Sequence, residues 1–322
     1  MGRTPTAVVA LAITAALVSC GGSGGGRSSA NRPPTPKVVI SGGELVDIGG
    51  GRSLYLRCVG SGSPTVLLEA GFGGTTNNWS AVQPQLGRTM RTCAYDRAGL
   101  GNSLPIQGVH DAGDEVDDLA RLLERAELPP PYLLVGHSYG GLLMRVFAHA
   151  HPEKTAGVVL VDAMGRDQDR RLSAIWRKAP ARVRRSVPDP AEPIVDGVDM
   201  RAGAALDAEV SELPAMPLVV ITRGHADADE LQLPAALQRK VGRAWVDMQD
   251  ELAALSEDSV HVVATRSGHF VQSPADGQPR VVIRGVRAAA TVVRDHAALP
   301  ACARIFRGLS VHCRSPRGGG PR

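Results

Sequence analysis

The stretch that decides the fold reads Tyr132-Leu133-Leu134-Val135-Gly136-His137-Ser138-Tyr139-Gly140-Gly141. Its four leading apolar or aromatic residues suit a buried parallel strand, and after it Leu142, Leu143, Val146, Phe147 and Ala150 recur at helical spacing. Between strand and helix, the Gly-x-Ser-x-Gly pattern predicts a sharp bend, with the helix starting at Gly140. Glycines two residues before and two after Ser138 let the backbone bend without a Cβ clash, so the hydroxyl stands clear beside helix N-terminal N–H groups. With 37 glycines in 322 residues the bare pattern carries little weight. The strand and helix around it distinguish it from a plain Gly/Ser loop.

Outward from this turn the chain alternates strands and helices. Ser53 to Val59, Thr65 to Glu69, Arg91 to Asp96, Gly157 to Val161, Pro217 to Thr222 and His261 to Ala264 read as strands. Helices carry Val116, Leu119, Leu123 and Ala126; then Leu237, Val241, Trp245, Met248 and Leu252; and finally Val282, Val286, Ala289 and Val293 on apolar faces. This rhythm predicts an α/β fold, a mostly parallel doubly wound sheet covered on both faces. Reactive groups in such sheets collect at the carboxyl ends of strands, where Ser138, Asp162 and His269 all fall. From about 163 to 213 the alternation lapses, which marks an insertion.

Composition narrows the partners. A chain of 322 residues with 43% hydrophobic content can bury a full core, and one large domain with an insertion is the default. The net charge of +4 is modest and aromatics make up only 3%, so basic and aromatic residues are not interleaved and nucleic-acid binding is not expected. No Cys/His cluster has metal-ligand spacing, and Gly136 to Gly141 is not followed by Gly-Lys-Ser/Thr as a phosphate loop would be, so no metal or organic cofactor is expected.

The N-terminus reads as an export signal: Arg3, then an apolar run from Ala7 to Val18 too short to span a bilayer comfortably. Its end, Leu17-Val18-Ser19-Cys20, resembles the lipobox of bacterial lipoproteins, which implies cleavage before Cys20 and lipidation of that cysteine. The expected organisation is a signal peptide over 1–19, a flexible Gly/Ser/Pro-rich tether over 20–37, a domain over 38–298 and a tail over 299–322. The protein is then exported, either anchored by lipid outside a bacterial cytoplasmic membrane or secreted after plain cleavage. Cys58, Cys93, Cys302 and Cys313 remain as an even set, consistent with two disulfides in any of three pairings.

Four motifs in order, Glu69-Ala70-Gly71-Phe72-Gly73-Gly74 with Trp79, Tyr95-Asp96-Arg97-Ala98-Gly99-Leu100-Gly101-Asn102-Ser103, Gly136 to Gly141, and Ser267-Gly268-His269-Phe270, resemble those of the α/β-hydrolase superfamily over about 38–298. The resemblance implies Ser138 as nucleophile and His269 as its base, since a serine hydroxyl needs an imidazole to take its proton. Competing histidines fit less well: His137 is read as pointing elsewhere off the turn, His149 and His151 lie on the next helix, and His225 and His261 lack the glycine-flanked late loop. The acid is Asp162, directly after an apolar strand, with Asp227 or Asp229 in the loop after the next strand as the alternative. Backbone N–H groups of Phe72 and Tyr139 are the implied oxyanion donors. Many members carry His-Gly where this chain has Ala70-Gly71, which removes a side chain that often braces the turn.

The insertion at about 163–213 occupies the place of a small helical lid. Eight basic and two acidic residues lie between Arg166 and Arg185, and the balance reverses after Ser186. Solvated faces that pair with each other explain this; a basic lid on anionic headgroups, or one steering an anionic substrate, is the sharper reading. The resemblance further implies that the strands of Cys58 and Cys93 lie close together, so Cys58–Cys93 and Cys302–Cys313 are the expected bridges. The expected activity is that of a serine hydrolase cleaving small-molecule carboxylic esters through an acyl-enzyme. The alternatives are lactone, amide, thioester or peptide cleavage on the same fold, or a non-catalytic hydrolase-like binding module.

Overall fold

The structure, a computed structural model, describes residues 42–181, 194–195, 197–226 and 233–315. The expected signal peptide, the tether, Cys20, the alternative acids Asp227 and Asp229, and part of the lid lie outside the described residues.

Strands run in chain order as β1 (Glu44–Gly49), β2 (Arg52–Val59), β3 (Thr65–Glu69), β4 (Thr92–Asp96), β5 (His110–Asp111), β6 (Tyr132–His137), β7 (Thr155–Val161), β8 (Ile194–Val195), β9 (Val198–Asp199), β10 (Leu218–Arg223), β11 (Ser259–Ala264) and β12 (Val311–Arg314). The helices are α1 (Gln83–Leu86), α2 (Ala112–Arg125), α3 (Tyr139–Ala150), α4 (Gln168–Trp176), α5 (Met200–Glu209), α6 (Ala235–Ala253), α7 (Pro279–Asp295) and α8 (Cys302–Ile305). The main sheet has the order β1-β2-β4-β3-β6-β7-β10-β11-β12. Its six central strands, β4 through β11, pair in parallel, whereas β1, β2 and β12 join antiparallel. A mostly parallel α/β sheet is therefore what the alternating sequence builds.

Strand periodicity explains the two cores. Along β6, Tyr132 and Leu134 enter one apolar cluster with α2 and α3, while Leu133 and Val135 enter the opposite one with α7. The same split holds for Val158 and Leu160 against Val159 and Val161 on β7. Strands buried on both faces have no solvated side, so they read as continuous apolar runs. Each such Val or Leu contributes roughly 1.5–3 kcal/mol of burial free energy.

The domain boundary needs correction. Residues 299–315, read from sequence as part of a tail, build α8 and β12, and β12 pairs antiparallel with β11 from His261↔Arg314 to Ala264↔Val311. The short Val311-His312-Cys313-Arg314 run has too few apolar residues to announce a strand, and tertiary anchors hold it instead. Cys302 and Cys313 form a disulfide, and Arg314 donates to both carboxylate oxygens of Asp250 on α6 at 2.9 and 2.7 Å. The second disulfide joins Cys58 and Cys93, which face each other across β2 and β4. Two disulfides fit an exported protein. Among the described residues, no helix is long and apolar enough to cross a membrane.

The insertion contains α4, the strands β8 and β9, and α5. Strand β9 pairs with β5, which belongs to the main domain. Within its basic half, Arg170 pairs with Asp167, and Arg171 reaches both oxygens of Glu251 on α6 at 2.9 and 2.7 Å.

Candidate active site

Ser138 sits between β6 and α3 at φ 54°, ψ −122°, a conformation rare for a residue with a Cβ. The glycines around it make the bend possible by contact, not only by flexibility. A Cβ on Gly136 would lie 2.4 Å from the Gly140 carbonyl oxygen, and one on Gly140 would lie 2.5 Å from that of Ala70. The helix starts at Tyr139, one residue earlier than the spacing indicates. As the helix's first residue, Tyr139 has no carbonyl one turn back to accept its N–H. The Ser138 carbonyl accepts from Gly141 and Met164 N–H at 2.9 and 2.8 Å, which locks the peptide plane carrying that N–H.

Asp162 follows the last residue of β7 and is fully buried, again with a positive φ of 42°. Two strained non-glycine residues at neighbouring strand ends mark a place where the fold sacrifices backbone comfort. His269, in the loop after β11, donates from Nδ1 to Asp162 Oδ2 at 2.6 Å. The other carboxylate oxygen, Oδ1, accepts from Trp245 Nε1 at 2.7 Å and from the Arg223 backbone N–H at 2.9 Å. Burial works against charge on Asp162, yet the nearby Arg223 guanidinium and the His269 bond outweigh it and hold the carboxyl below the usual carboxylate range. The structure thus brings Asp162 and His269 together beside the Ser138 bend.

His137 reaches across to the late loop: its Nε2–H donates to the His269 carbonyl at 2.9 Å, and its ring centroid lies 4.6 Å from that of His269. Burial lowers its pKa to about 3, so it is a neutral prop for the late loop. The glycine-rich turn after β3 carries Phe72, whose ring meets Tyr139 edge-on at 5.8 Å. Phe270 lies 5.4 Å from the His269 ring, and both phenylalanines are exposed, which gives the site an apolar rim.

Sequence reasoning missed three supporting residues. Trp245 is legible only as one member of the apolar face of α6, because nothing in that spacing tells an indole donor from a core residue. Arg223 ends β10 and stacks its guanidinium 4.4 Å over the Trp245 ring. Arg97 is visible inside a motif, but without a role. His261, which its place in the chain disfavours as a base, is buried in β11 between Thr222 and Asp250 at 2.7 and 2.8 Å. Among the described residues, no group of three or more His, Cys, Asp or Glu could hold a metal ion.

Comparison with known proteins agrees with this architecture. The family profile described as the alpha/beta hydrolase fold matches residues 64–198, a span that includes the Ser138 bend and Asp162. A Hormonema carpetanum protein named as a transporter, efuK, is 40% identical over 126 residues, 37% of this chain and 18% of that one. The 2-hydroxy-6-oxo-2,4-heptadienoate hydrolase of Pseudomonas putida is 34% identical over 139 residues, 42% of this chain and 50% of that one. The chain thus spans half or less of the length of these two curated relatives. The crystallised meta-cleavage product hydrolase CumD of Pseudomonas fluorescens is 21% identical, with a TM-score of 0.53 over 77% of this chain and 98% of that one. With the profile match and the strand order in agreement, the chain has the α/β-hydrolase fold.

Proposed function

We propose that the protein is a serine hydrolase that cleaves carboxylic esters through an acyl-enzyme on Ser138. The 2.6 Å contact between His269 Nδ1 and Asp162 Oδ2, beside the Ser138 bend, carries the reading. With Nδ1 committed to Asp162, Nε2 is the nitrogen that takes the Ser138 proton as Oγ attacks the ester carbonyl. The anionic Asp162 then stabilises the imidazolium. Backbone N–H groups of Phe72 and Tyr139 receive the developing oxyanion, and His269 returns the proton to the departing alcohol. Water, deprotonated by the same imidazole, attacks the acyl-enzyme and releases the acid.

A fluorophosphonate probe tests this directly. Wild-type protein labels, and Ser138→Ala does not. A folded wild-type protein that stays unlabelled would instead be a non-catalytic binding module. Turnover of p-nitrophenyl esters, a lactone, a thioester, an anilide and a peptide then ranks the leaving group. The compound in the Pseudomonas putida relative's name, 2-hydroxy-6-oxo-2,4-heptadienoate, belongs in the same panel. The ester reading predicts that the first substrate class dominates.

Export and anchoring complete the proposal. The two disulfides and the lipobox-like Leu17-Val18-Ser19-Cys20 support an exported protein held to a membrane by lipid on Cys20. Metabolic labelling with an alkyne fatty acid in a bacterial host is expected to mark wild-type protein and not Cys20→Ala. Equal labelling of both would place the anchor elsewhere.

A further inference from the structure

Arg97 lies in the loop after β4 and is 3% exposed, yet it spends only part of its guanidinium on carboxylates. Nη1 contacts Glu69 and also donates to the Ala70 carbonyl at 2.8 Å; Nη2 donates to the Gly71 carbonyl at 2.9 Å; Nε lies 3.2 Å from Glu115. The Gly71 carbonyl belongs to the peptide unit that carries the Phe72 N–H. Because a trans peptide is planar, its C=O and N–H point in opposite directions, and holding the oxygen on one side aims the hydrogen at the other. We propose that Arg97 is a positioning residue that keeps the Phe72 N–H turned toward the reacting carbonyl, an inference that rests on the serine-hydrolase reading above.

The two oxyanion donors differ in how much help they need. Tyr139 N–H is aimed by the chain itself, since the Ser138 carbonyl is held by two backbone N–H groups. Phe72 lies in Gly71-Phe72-Gly73-Gly74, where one turn bond, from Gly74 N–H to the Gly71 carbonyl at 3.0 Å, provides the local constraint and Gly73 has φ 64°. Three glycines in four residues make rotation of that peptide plane easy. Position 70 is alanine and offers no polar side chain, so the external clamp comes from Arg97. Glu69 and Glu115 keep the guanidinium in place, and the Tyr139 ring closes it in at 5.4 Å. A salt bridge serving the core alone would have no need of two loop carbonyls.

The test uses the full chain carrying Arg97→Lys, whose single ammonium cannot span both carbonyls and Glu69 together. Loss of one oxyanion donor costs about 10²–10³ in kcat. Arg97→Lys is therefore expected to lose about a hundredfold in kcat with KM within about threefold, and to bind a trifluoromethyl ketone analogue of the ester less tightly by the same factor. If wild-type protein labels with fluorophosphonate but Arg97→Lys keeps kcat within about threefold, the positioning role is overturned while the hydrolase reading stands. If wild-type protein fails to label, the reading itself falls. Should the variant not fold, a crystal structure of wild-type protein with a boronate on Ser138 decides. The adduct oxygen is expected on the Phe72 N–H with Arg97 on the Gly71 carbonyl, and a Phe72 N–H turned away overturns the proposal.

Discussion

The indole N–H of Trp245 donates at 2.7 Å to Oδ1 of Asp162, the carboxylate oxygen that His269 does not use. Asp162 is therefore held from two sides, by His269 on one oxygen and by Trp245 and the Arg223 backbone N–H on the other. A hydrogen bond to a charged group is worth about 1.5–3 kcal/mol. Trp245→Phe keeps the ring beneath Arg223 and removes only the donor, so kcat/KM is expected to fall at least about tenfold in steady-state assays. Asp162→Asn is expected to fall by about 10⁴, because the histidine loses its correct tautomer. A Trp245→Phe enzyme as fast as wild type would mean the bond is idle.

Buried neutral histidines make stability fall in acid. Burial lowers His137 from 6.5 to about 3 and His261 to about 4, so between pH 6.5 and these values the unfolded chain takes up protons that the folded one refuses. Stability is thus undiminished above pH 6.5 and declines below it by up to about 1.4 kcal/mol per pH unit for each group. Glu69, raised by burial to about 7, acts in the opposite sense between 4.5 and 7, because there the folded state holds the extra proton. Together these three groups take up close to one proton on unfolding between pH 6.5 and 4.5. Urea titrations at pH 7, 6 and 5 should show this slope. Glu69→Gln should steepen it, and an unchanged slope in that variant would refute the assignment.

Contact at the Ser138 bend leaves no room for a methyl group. A Cβ at Gly140 would sit 2.5 Å from the Ala70 carbonyl and 2.6 Å from Glu69 Cγ, so the turn after β3 would have to move. Gly140→Ala is expected to lose roughly 1–3 kcal/mol of stability, as overpacked cores do, together with most activity. Thermal unfolding and fluorophosphonate labelling measure the two losses separately.

The Cys302–Cys313 bridge closes a short loop, with a sequence separation of 11 residues. The chain-entropy relation gives about 3 kcal/mol for a loop of this size. A double serine variant is expected to unfold at correspondingly lower urea concentration and to lose amide protection first in Val311–Arg314. Uniform loss of protection across the sheet would argue against local release of that strand.

Much of the fold and site is legible in the sequence because the relevant signals are local. Apolar runs buried on both faces, glycines that bend a chain, and a serine or aspartate placed directly after a strand are properties of neighbouring residues. Ser138, Asp162 and His269 can therefore be picked out one at a time, and the Cys58–Cys93 pairing follows from the strand order of the resembled fold. What is not legible depends on distant pairs. Trp245 meets Asp162 across 83 residues and Arg314 meets Asp250 across 64, and spacing cannot tell such a donor from a core or surface residue. His137 escapes sequence reading for the same reason, since its target is a backbone carbonyl 132 residues away.

Strand β12 has a consequence for handling the protein. It lies at one end of the sheet, and removing it would uncover β11, an apolar strand whose Val260, Val262 and Ala264 are buried. An uncovered row of backbone donors and acceptors on such a strand invites pairing with another chain. A chain trimmed at residue 298 would then be prone to self-association and precipitation, so recombinant versions should retain the sequence through Arg314.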